Sequence, residues 1–366
     1  MAIPIHSDPE VLILGAGQAG LTIAARLKAL GIDSLMVNKN DRVGDNWRNR
    51  YHQLVLHDPV WYDHLPYIRF PPQWPIFTPK DKLADFFTLY ATLLELNVWM
   101  KSEITSSKWD AGERRWSVTV KRRTEGGVEE TRMFRPRHIV QATGHSGKMH
   151  LPDLNGIEDF KGHLIYLALV LFPQRLLLKS DLKAFTEKMA WTSIMQISSS
   201  TGRHDVELLK RLIKAGFKLD SSPDNAGFFI KYFERGGGYY IDVGASRLII
   251  DGKIKIKQGQ EVDRVLPNGL RFADSSELEA DEIVLATGYQ NMRTQTRIIF
   301  GDEVADAVGD IWGFNEEGEM RMIWQRTGHP GFWFHGGNLV LCRYFSKFLA
   351  LQIKGLEEGV YKYEDS

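Results

Sequence analysis

The sequence predicts an α/β fold built on a three-layer, Rossmann-like dinucleotide-binding domain. Two observations predict this class. A strand, a glycine-rich turn and a helix follow one another near the start of the chain, and an Ala-Thr-Gly triplet twice follows a short apolar stretch. Between the opening unit and the first triplet lie short alternating stretches separated by polar turns. They predict a small antiparallel β excursion from the main sheet.

The opening unit runs from Val11 to Leu30. Four apolar residues predict a buried parallel strand, Gly15, Gly17 and Gly20 form a G-x-G-x-x-G turn, and apolar residues then recur at helical spacing. The first glycine allows the tight turn, the second lets a pyrophosphate approach the backbone, and the third lets helix and strand pack closely. Phosphates would lie on the free N–H groups at the helix start. The motif stands in the context that it requires, so we predict a bound dinucleotide.

Composition bounds the class of protein. A chain of 366 residues can bury a full core, and 43% apolar with 25% charged residues is ordinary for a globular protein. Lys+Arg and Asp+Glu are equal at 46 each, so nothing indicates a nucleic-acid partner. The single cysteine, Cys342, excludes an internal disulfide and favours a cytoplasmic location. No secretory leader is expected before Val11, and the longest apolar run, Leu164 to Phe172, is shorter than the ~20 residues of a spanning helix.

The next elements continue the predicted domain. Ser34 to Asn38 predicts a second strand, and Asn38 stands where the fingerprint usually places an acidic residue that binds a ribose hydroxyl. Its amide can still hydrogen-bond a hydroxyl, without the strength of a carboxylate. Residues 61–77 are rich in aromatics and prolines, which fits either the wall of a pocket or ordinary loop packing. Residues 81–96 predict a helix with one apolar face.

Short strands then lead to the two Ala-Thr-Gly triplets. The predicted strands before the first triplet are Val98–Trp99, Ile104–Thr105, Trp116–Val120, Thr131–Met133 and His138–Gln141. A strand at Glu282–Leu285 precedes the second triplet. Small residues after each strand would let the backbone pass close to a cofactor. The remaining predicted elements are a helix over 227–234, a half-exposed strand over 253–257 and a helix over 341–357.

Two segments after the second strand carry a family resemblance: Arg42-Val-Gly-Asp-Asn-Trp-Arg48 and Tyr51-His-Gln-Leu-Val-Leu-His-Asp-Pro59. With the glycine turn and the triplets, they make the sequence resemble the class B flavin-dependent monooxygenases, which include flavin-containing and Baeyer–Villiger monooxygenases. The resemblance covers residues 9–166 and about 205–358 and is greatest to the fungal branch. It implies FAD on the first glycine turn, NADPH as reductant, and insertion of one oxygen atom into a small substrate.

The resemblance also implies a site. His57 and Asp58 lie where the family places polar residues over the flavin, so both are candidate catalytic residues; His57 could exchange a proton near neutral pH or be a structural hydrogen-bond partner. The glycine-rich turn before residue 338 would bring a helix start against the flavin ring, with His335 in a contact role. The candidate cofactor-binding residues are Gly15, Gly17, Gln18, Ala19, Gly20, Asn38, Lys39, Gly44, Asn46, Trp47, Arg48, His57, Ile104, Ala142, Thr143, Gly144, Tyr289, Asn338 and Leu339.

The sequence departs from the family in its middle. The family's linker signature F-x-G-x-x-x-H begins at Phe160 but ends at Tyr166 in place of histidine. The family continues with a second glycine turn that binds NADPH, whereas Gly202 is the only glycine between Leu167 and Arg203. We therefore predict that a helical connector, 167–244, replaces the NADPH domain. The FAD-binding domain would consist of 9–166 and 245–358.

Three hypotheses about function follow. The first is an FAD-dependent oxidoreductase, an oxygenase or oxidase acting on a small apolar metabolite of secondary metabolism, with electrons from the substrate or a separate reductase. The second is a redox-neutral isomerase or cyclase. The third is a non-catalytic remnant that binds flavin or a partner, which exposed apolar surface at 164–172 would favour. The histidine spacing predicts no metal site. The sequence does not determine the oligomeric state, and a homo-oligomer is one alternative.

Overall fold

A computed structural model describes residues 8–124, 126–144, 148–166, 205–220, 232–234, 242, 244–316 and 318–363. The chain forms two compact units, one of residues 1–148 with 291–366 and one of residues 149–290. The two units are divided after residues 148 and 290, whereas the predicted domain boundaries lie at 166 and 245. Most of the predicted connector, 167–244, and of the predicted helix over 227–234 lies outside the described residues, so both stay predictions.

The helices of the described residues are, in chain order, α1 Gln18–Ala29, α2 Asp45–Arg48, α3 Lys80–Leu93, α4 Val206–Lys214, α5 Ala245–Ile250, α6 Met292–Phe300, α7 Asp302–Val308 and α8 Leu339–Glu357. The strands are β1 Val11–Leu14, β2 Ser34–Val37, β3 Val55–Pro59, β4 Phe77–Pro79, β5 Val98–Trp99, β6 Ser102–Asp110, β7 Arg115–Arg123, β8 Glu129–Phe134, β9 His138–Gln141, β10 His163–Tyr166, β11 Val262–Leu266, β12 Gly269–Phe272, β13 Glu277–Glu279, β14 Glu282–Leu285 and β15 Phe332–Phe334.

The first unit is built on a parallel sheet with the strand order β15-β9-β1-β2-β5. The central strand β1 pairs with β2 on one side and β9 on the other, so that Val11 lies opposite both Ser34 and His138. A strand with neighbours on both sides and helices packed on the sheet is buried on both faces, which explains the continuous apolar run. Val11, Leu12 and Ile13 are fully buried. The α/β class and the parallel sheet are as predicted.

The antiparallel excursion is also confirmed. Strands β6, β7 and β8 form a separate three-stranded antiparallel sheet. Trp116 on β7 is fully buried, and its indole Nε1 donates to the Gly331 carbonyl at 3.1 Å. The chain then returns to the parallel sheet as β9, whose register with β1 places Gln141 beside Leu14.

The second unit, as far as it is described, contains a parallel pair of strands and an antiparallel meander. Strand β10 pairs with β14, with His163 opposite Glu282, and β11, β12 and β13 form the meander. Gly162 precedes β10 where an added Cβ would lie 2.2 Å from the Asp281 carbonyl oxygen. The glycine of the linker signature is therefore required by the close approach of the strand that precedes the second triplet.

The predicted strand over 253–257 is wrong. This segment has no regular structure and is mostly exposed. The backbone N–H groups of Lys253 and Ile254 both donate to the Leu248 carbonyl, which closes the end of α5. The alternating lysines and isoleucines therefore lie just after a helix and do not form a strand. The backbone N–H groups of the first two are used in the helix cap.

Candidate functional site

The candidate site lies at the carboxyl ends of β1 and β9, in the first unit. The chain leaves β1 towards β2, while β9 pairs on the other side of β1. In open parallel sheets, ligands bind at such a reversal of strand order, outside the carboxyl ends of the strands. The glycine turn follows β1 at this point, and the first Ala-Thr-Gly triplet follows β9.

The three glycines of the turn have different surroundings. A Cβ on Gly15, whose φ is +113°, would lie 2.5 Å from the Ala142 carbonyl oxygen, and one on Gly20 would lie 1.9 Å from the Gly15 carbonyl oxygen. Among the described residues, a Cβ on Gly17 would meet only the side-chain amide of Asn46, with the nitrogen at 3.1 Å. Gly15 and Gly20 are therefore required by the fold, whereas Gly17 approaches only a side chain that can shift. That division matches the roles of the fingerprint: a tight turn, an approach for pyrophosphate, and close helix packing.

The start of α1 is suited to an anion. Gly17 caps the helix in an extended conformation, no side chain caps the first turn, and the first turn contains no acidic residue. The first helical hydrogen bond runs from the Leu21 N–H to the Gly17 carbonyl, at 2.9 Å. The N–H groups before Leu21, including that of the buried Ala19, carry the positive end of the helix dipole. A phosphate is the group that such a helix start stabilises.

The starts of α1 and α8 are joined. Gln18, the first residue of α1, donates from Nε2 to the Gly337 carbonyl at 3.3 Å and accepts from Trp47 Nε1 at 3.3 Å. Asn338 caps α8 through its side-chain oxygen, which accepts from the Leu341 N–H at 3.0 Å. Leu339, the first residue of α8, is buried. The structure thus brings two predicted helix starts to one place.

The segment around α2 supports the glycine turn. A Cβ on Gly44, whose φ is +92°, would lie 2.3 Å from the Ala84 carbonyl oxygen. The Arg48 guanidinium donates to the Val43 carbonyl at 2.7 Å, to Asp45 at 3.2 Å and to Asp85 at 2.7 Å. The hydrogen bonds of Arg48 thus hold α2 against α3. Asn46 is the residue of this segment that lies beside Gly17.

Asn38 follows β2, as the fingerprint requires. Its backbone N–H donates to the Trp99 carbonyl, and its carbonyl accepts from the Ser102 N–H, both at 2.9 Å. These bonds fix the backbone and leave the half-buried side chain as the group available for a ligand. The next residue, Lys39, is exposed, and Ile104 lies half-buried on β6.

The first Ala-Thr-Gly triplet is fixed by its neighbours on one side. A Cβ on Gly144, whose φ is +85°, would meet no described residue within 4 Å. Upstream, the fully buried Gln141 donates to Thr143 Oγ1 at 3.2 Å and accepts from Thr296 at 2.7 Å. Ala142 is buried and Thr143 is half-buried. The backbone of the triplet is therefore held in place through Gln141.

The candidate catalytic residues lie at the end of β3. His57 Nε2 is 3.9 Å from Asp58 Oδ1, and both side chains are partly exposed. Burial raises the pKa of the Asp58 carboxyl, and His57 lowers it in part. The Tyr62 hydroxyl, whose pKa is raised mainly by burial, hydrogen-bonds the Asn338 side chain. The β3 segment is thereby linked to the start of α8.

Two residues that the sequence placed at the flavin site, Tyr289 and His335, lie in other surroundings than those around the glycine turn. Tyr289 lies in the second unit, where it bridges to Met149, so its place in the cofactor site stays a prediction. His335 is fully buried, and its Nε2 lies 3.1 Å from Thr22 Oγ1. Burial lowers the pKa of His335 to about 3, which favours its neutral form at neutral pH.

Sequence reasoning missed Asp63 and Arg343. Asp63 is 1% exposed, and Arg343 Nη1 donates to the Tyr62 and His64 carbonyls, at 2.7 and 2.9 Å. The available signal was an acidic residue inside the aromatic stretch 61–77. That stretch also borders a groove of about 650 Å³ lined by Ile68, Arg69, Pro71, Trp74, Lys82, Asp85, Phe86 and Leu89.

The described residues contain no cluster of His, Cys, Asp and Glu suited to a metal ion and no helix able to cross a membrane.

Comparison with known proteins finds similar sequences among monooxygenases and oxidoreductases. The chain is 25% identical over 380 residues to indole-3-pyruvate monooxygenase YUCCA8 of Oryza sativa subsp. indica, covering 92% of this chain and 86% of the relative. It is 27% identical over 298 residues to an uncharacterized CzcO-like oxidoreductase of Geobacillus kaustophilus, covering 76% and 80%. The chain is thus similar over most of its length to an indole-3-pyruvate monooxygenase and to an oxidoreductase.

The fold agrees with this relationship. A flavin monooxygenase from Stenotrophomonas maltophilia, solved in a mutant form, superposes with a TM-score of 0.60 at 15% identity. The match covers 95% of this chain and 99% of that one. No family model matches the sequence.

Proposed function

We propose that the protein is an FAD-dependent oxidoreductase of the monooxygenase type that acts on a small, fairly apolar metabolite. The observation that carries the proposal is the division of roles among Gly15, Gly17 and Gly20. Two of them pack against protein backbone, whereas the one expected to face pyrophosphate approaches only the movable side chain of Asn46 among the described residues. The relationship to flavin monooxygenases supports FAD as the dinucleotide.

Each part of the site has a role towards FAD. The start of α1 and Gly17 would hold the pyrophosphate, and Asn38 would bind a ribose hydroxyl. The start of α8 would stabilise negative charge on the flavin ring. FAD, when bound, supplies the redox chemistry of the reaction. His57 and Asp58 are proposed to contact the ring or the substrate.

The experiment that tests this proposal compares the binding affinities of ligands with and without a pyrophosphate group. Apoprotein is titrated by calorimetry with FAD, FMN and NADPH. We expect FAD to bind tightly and FMN weakly, since FMN lacks the pyrophosphate and adenosine that the cradle would hold. Equal affinity for FAD and FMN, or binding of neither, would contradict the assignment.

A further part of the proposal is that the protein has no NADPH site of its own. The support is the sequence between Leu167 and Arg203, where Gly202 is the only glycine, and the replacement of histidine by Tyr166. A phosphate cradle without glycine would place a side chain in the pyrophosphate path. Electrons would then come from the substrate or from a separate reductase.

Stopped-flow reduction tests this part. Hydride transfer needs donor and acceptor about 3–3.5 Å apart, and losing that positioning costs on the order of 7–11 kcal/mol of barrier. We expect millimolar NADPH to reduce the bound flavin far more slowly than ~1 per second, the lower end of ordinary turnover. Dithionite serves as the control for a reducible flavin. Rapid and saturable reduction by NADPH would refute the missing site and leave the FAD assignment intact.

A further inference from the structure

Trp324 packs against the turn between β15 and α8, which consists of Gly336, Gly337 and Asn338 and is called the α8 turn below. Its indole Nε1 donates to the Gly336 carbonyl at 3.0 Å. A Cβ on Gly337, whose φ is +107°, would lie 3.4 Å from Trp324 Cζ2. Trp324 is only 3% exposed, so its contact with the α8 turn is a buried one.

The backbone of Trp324 is strained. Its φ is +64°, in the left-handed region that a bulky residue rarely occupies. Trp312 and Met322, earlier in the same segment, also have positive φ, at +68° and +57°. Such conformations cost free energy and persist only where the surrounding structure holds them, and they cluster at functional sites. The strain at Trp324 therefore calls for contacts that hold it and for a function that needs it.

Three hydrogen bonds and a ring stack hold Trp324 in this conformation. Its backbone N–H donates to the Phe334 carbonyl of β15 at 3.1 Å, and its carbonyl accepts from Gln352 Nε2 of α8 at 2.9 Å. With the bond to Gly336, each polar group of the residue is used. The indole ring stacks on Phe345 of α8, with centroids 3.9 Å apart and planes inclined by 4°. Trp324 thus fixes the α8 turn to the strand before it and to the helix after it.

We propose that Trp324 is a positioning residue of the cofactor site, which holds the α8 turn so that the start of α8 faces the flavin ring. The stabilisation of negative charge by a helix start falls off within its first turn. A displacement of Asn338 and of the first N–H groups of α8 would therefore weaken the stabilisation of reduced, negatively charged flavin. The role towards FAD rests on the proposed function, whereas the fixing of the α8 turn does not.

Hydrogen exchange of the apoprotein tests whether Trp324 fixes the turn. Trp324→Phe keeps a ring against Phe345 but removes the indole N–H, so that the buried Gly336 carbonyl loses this donor. We expect the amides of residues 336–341 to exchange about 5-fold faster or more, because an unsatisfied buried acceptor destabilises the local structure. Trp109→Phe is the matched control and should leave these amides unchanged. Its ring lies at the other end of β15, where Cζ3 is 3.0 Å from the position of a Cβ on Gly331.

A second variant removes the other contact. Phe345→Leu abolishes the ring stack and keeps the indole N–H bond, so the amides of 336–341 should again exchange faster than in the wild type. This variant decides the proposal where Trp324→Phe does not fold. Unchanged exchange at 336–341 in the folded variants, or equal acceleration in Trp109→Phe, overturns the fixing of the turn.

The flavin midpoint potential tests the role towards FAD. In Trp324→Phe, the dissociation constant should rise on the order of 2- to 5-fold more for reduced than for oxidised FAD, which shifts the potential to more negative values. A purely structural role would weaken both alike and leave the potential unchanged. An unchanged potential in a protein whose α8 turn exchanges faster overturns the role towards FAD. A wild-type protein that binds no FAD overturns the proposed function, while the exchange result still decides whether Trp324 fixes the turn.

Discussion

Replacing Gly17 by alanine should weaken cofactor binding without destabilising the fold. Gly17 has φ −86° and ψ −166°, an extended conformation that alanine adopts without strain. The added Cβ would lie 3.1 Å from Asn46 Nδ2, the end of a side chain that can shift. We therefore expect the apoprotein's free energy of unfolding to change by no more than about 1 kcal/mol, with the lost backbone entropy of the unfolded chain favouring the variant.

The cofactor should respond differently. A methyl group in the path of a closely packed pyrophosphate costs about 1–3 kcal/mol, as in other overpacked sites. At 1.4 kcal/mol for each tenfold, the dissociation constant of FAD should rise about 5- to 150-fold. Calorimetric titration of the apoprotein measures this ratio, and thermal melting of the same sample measures the fold.

Two variants make the result specific. Gly112→Ala, in an exposed turn where an added Cβ meets only Asp110 Oδ1 at 3.4 Å, should alter neither quantity. Gly20→Ala would place a methyl group 1.9 Å from the Gly15 carbonyl oxygen and should destabilise the fold itself. Unchanged FAD affinity in Gly17→Ala would refute the assignment of this glycine to the pyrophosphate, and a Gly17→Ala protein that fails to fold would refute its open surroundings.

Two further predictions concern side chains of the first unit. Asn38→Asp should lower the dissociation constant of FAD about 5-fold, because a carboxylate accepting from ribose hydroxyls gains about 1 kcal/mol over an amide; titration that shows equal or weaker binding would mean that Asn38 does not touch the ribose. Burial acts to raise the pKa of Glu357, but the His138 hydrogen bond at 3.0 Å and Arg137 hold it below its usual value of 4.5. The stabilisation from the Glu357 carboxylate is thus present above about pH 4.5 and is lost as the pH falls through the lower folded pKa. Glu357→Gln should cost about 1–3 kcal/mol at pH 7 and show a smaller loss of melting temperature on acidification than the wild type; parallel curves would contradict the linkage.

The parts of the fold that were predictable are those in which the backbone limits the choice of residue. The central strand β1 is buried on both faces, so only an apolar run fits Val11–Leu14. Gly15 and Gly20 lie against backbone atoms, where any side chain would collide. Such constraints leave a pattern in the sequence, which explains why β1, α1 and β9 fall where the sequence predicts them.

The parts that could not be predicted depend on contacts between residues distant in the sequence. The alternation over 253–257 has the period of a strand, yet its backbone donors close α5, and only the neighbouring structure decides between the two. The loop at Asp63 is bonded by Arg343, which lies near the other end of the chain and donates to the Tyr62 and His64 carbonyls. A single acidic residue among aromatics carries no sign of such a partner.

The division of the chain into two units separates the proposed FAD contacts from the segment proposed to lack an NADPH site. The elements proposed to hold pyrophosphate, ribose and flavin ring (β1, α1, β2, β9 and the start of α8) all belong to the first unit, 1–148 with 291–366. Their mutual contacts, such as Gln18 to Gly337 and Gly15 to Ala142, involve residues of that unit alone. A change confined to 149–290 therefore leaves the proposed FAD contacts of the first unit intact. The proposed absence of an NADPH site concerns other residues, so FAD affinity and NADPH reduction must be measured as separate quantities.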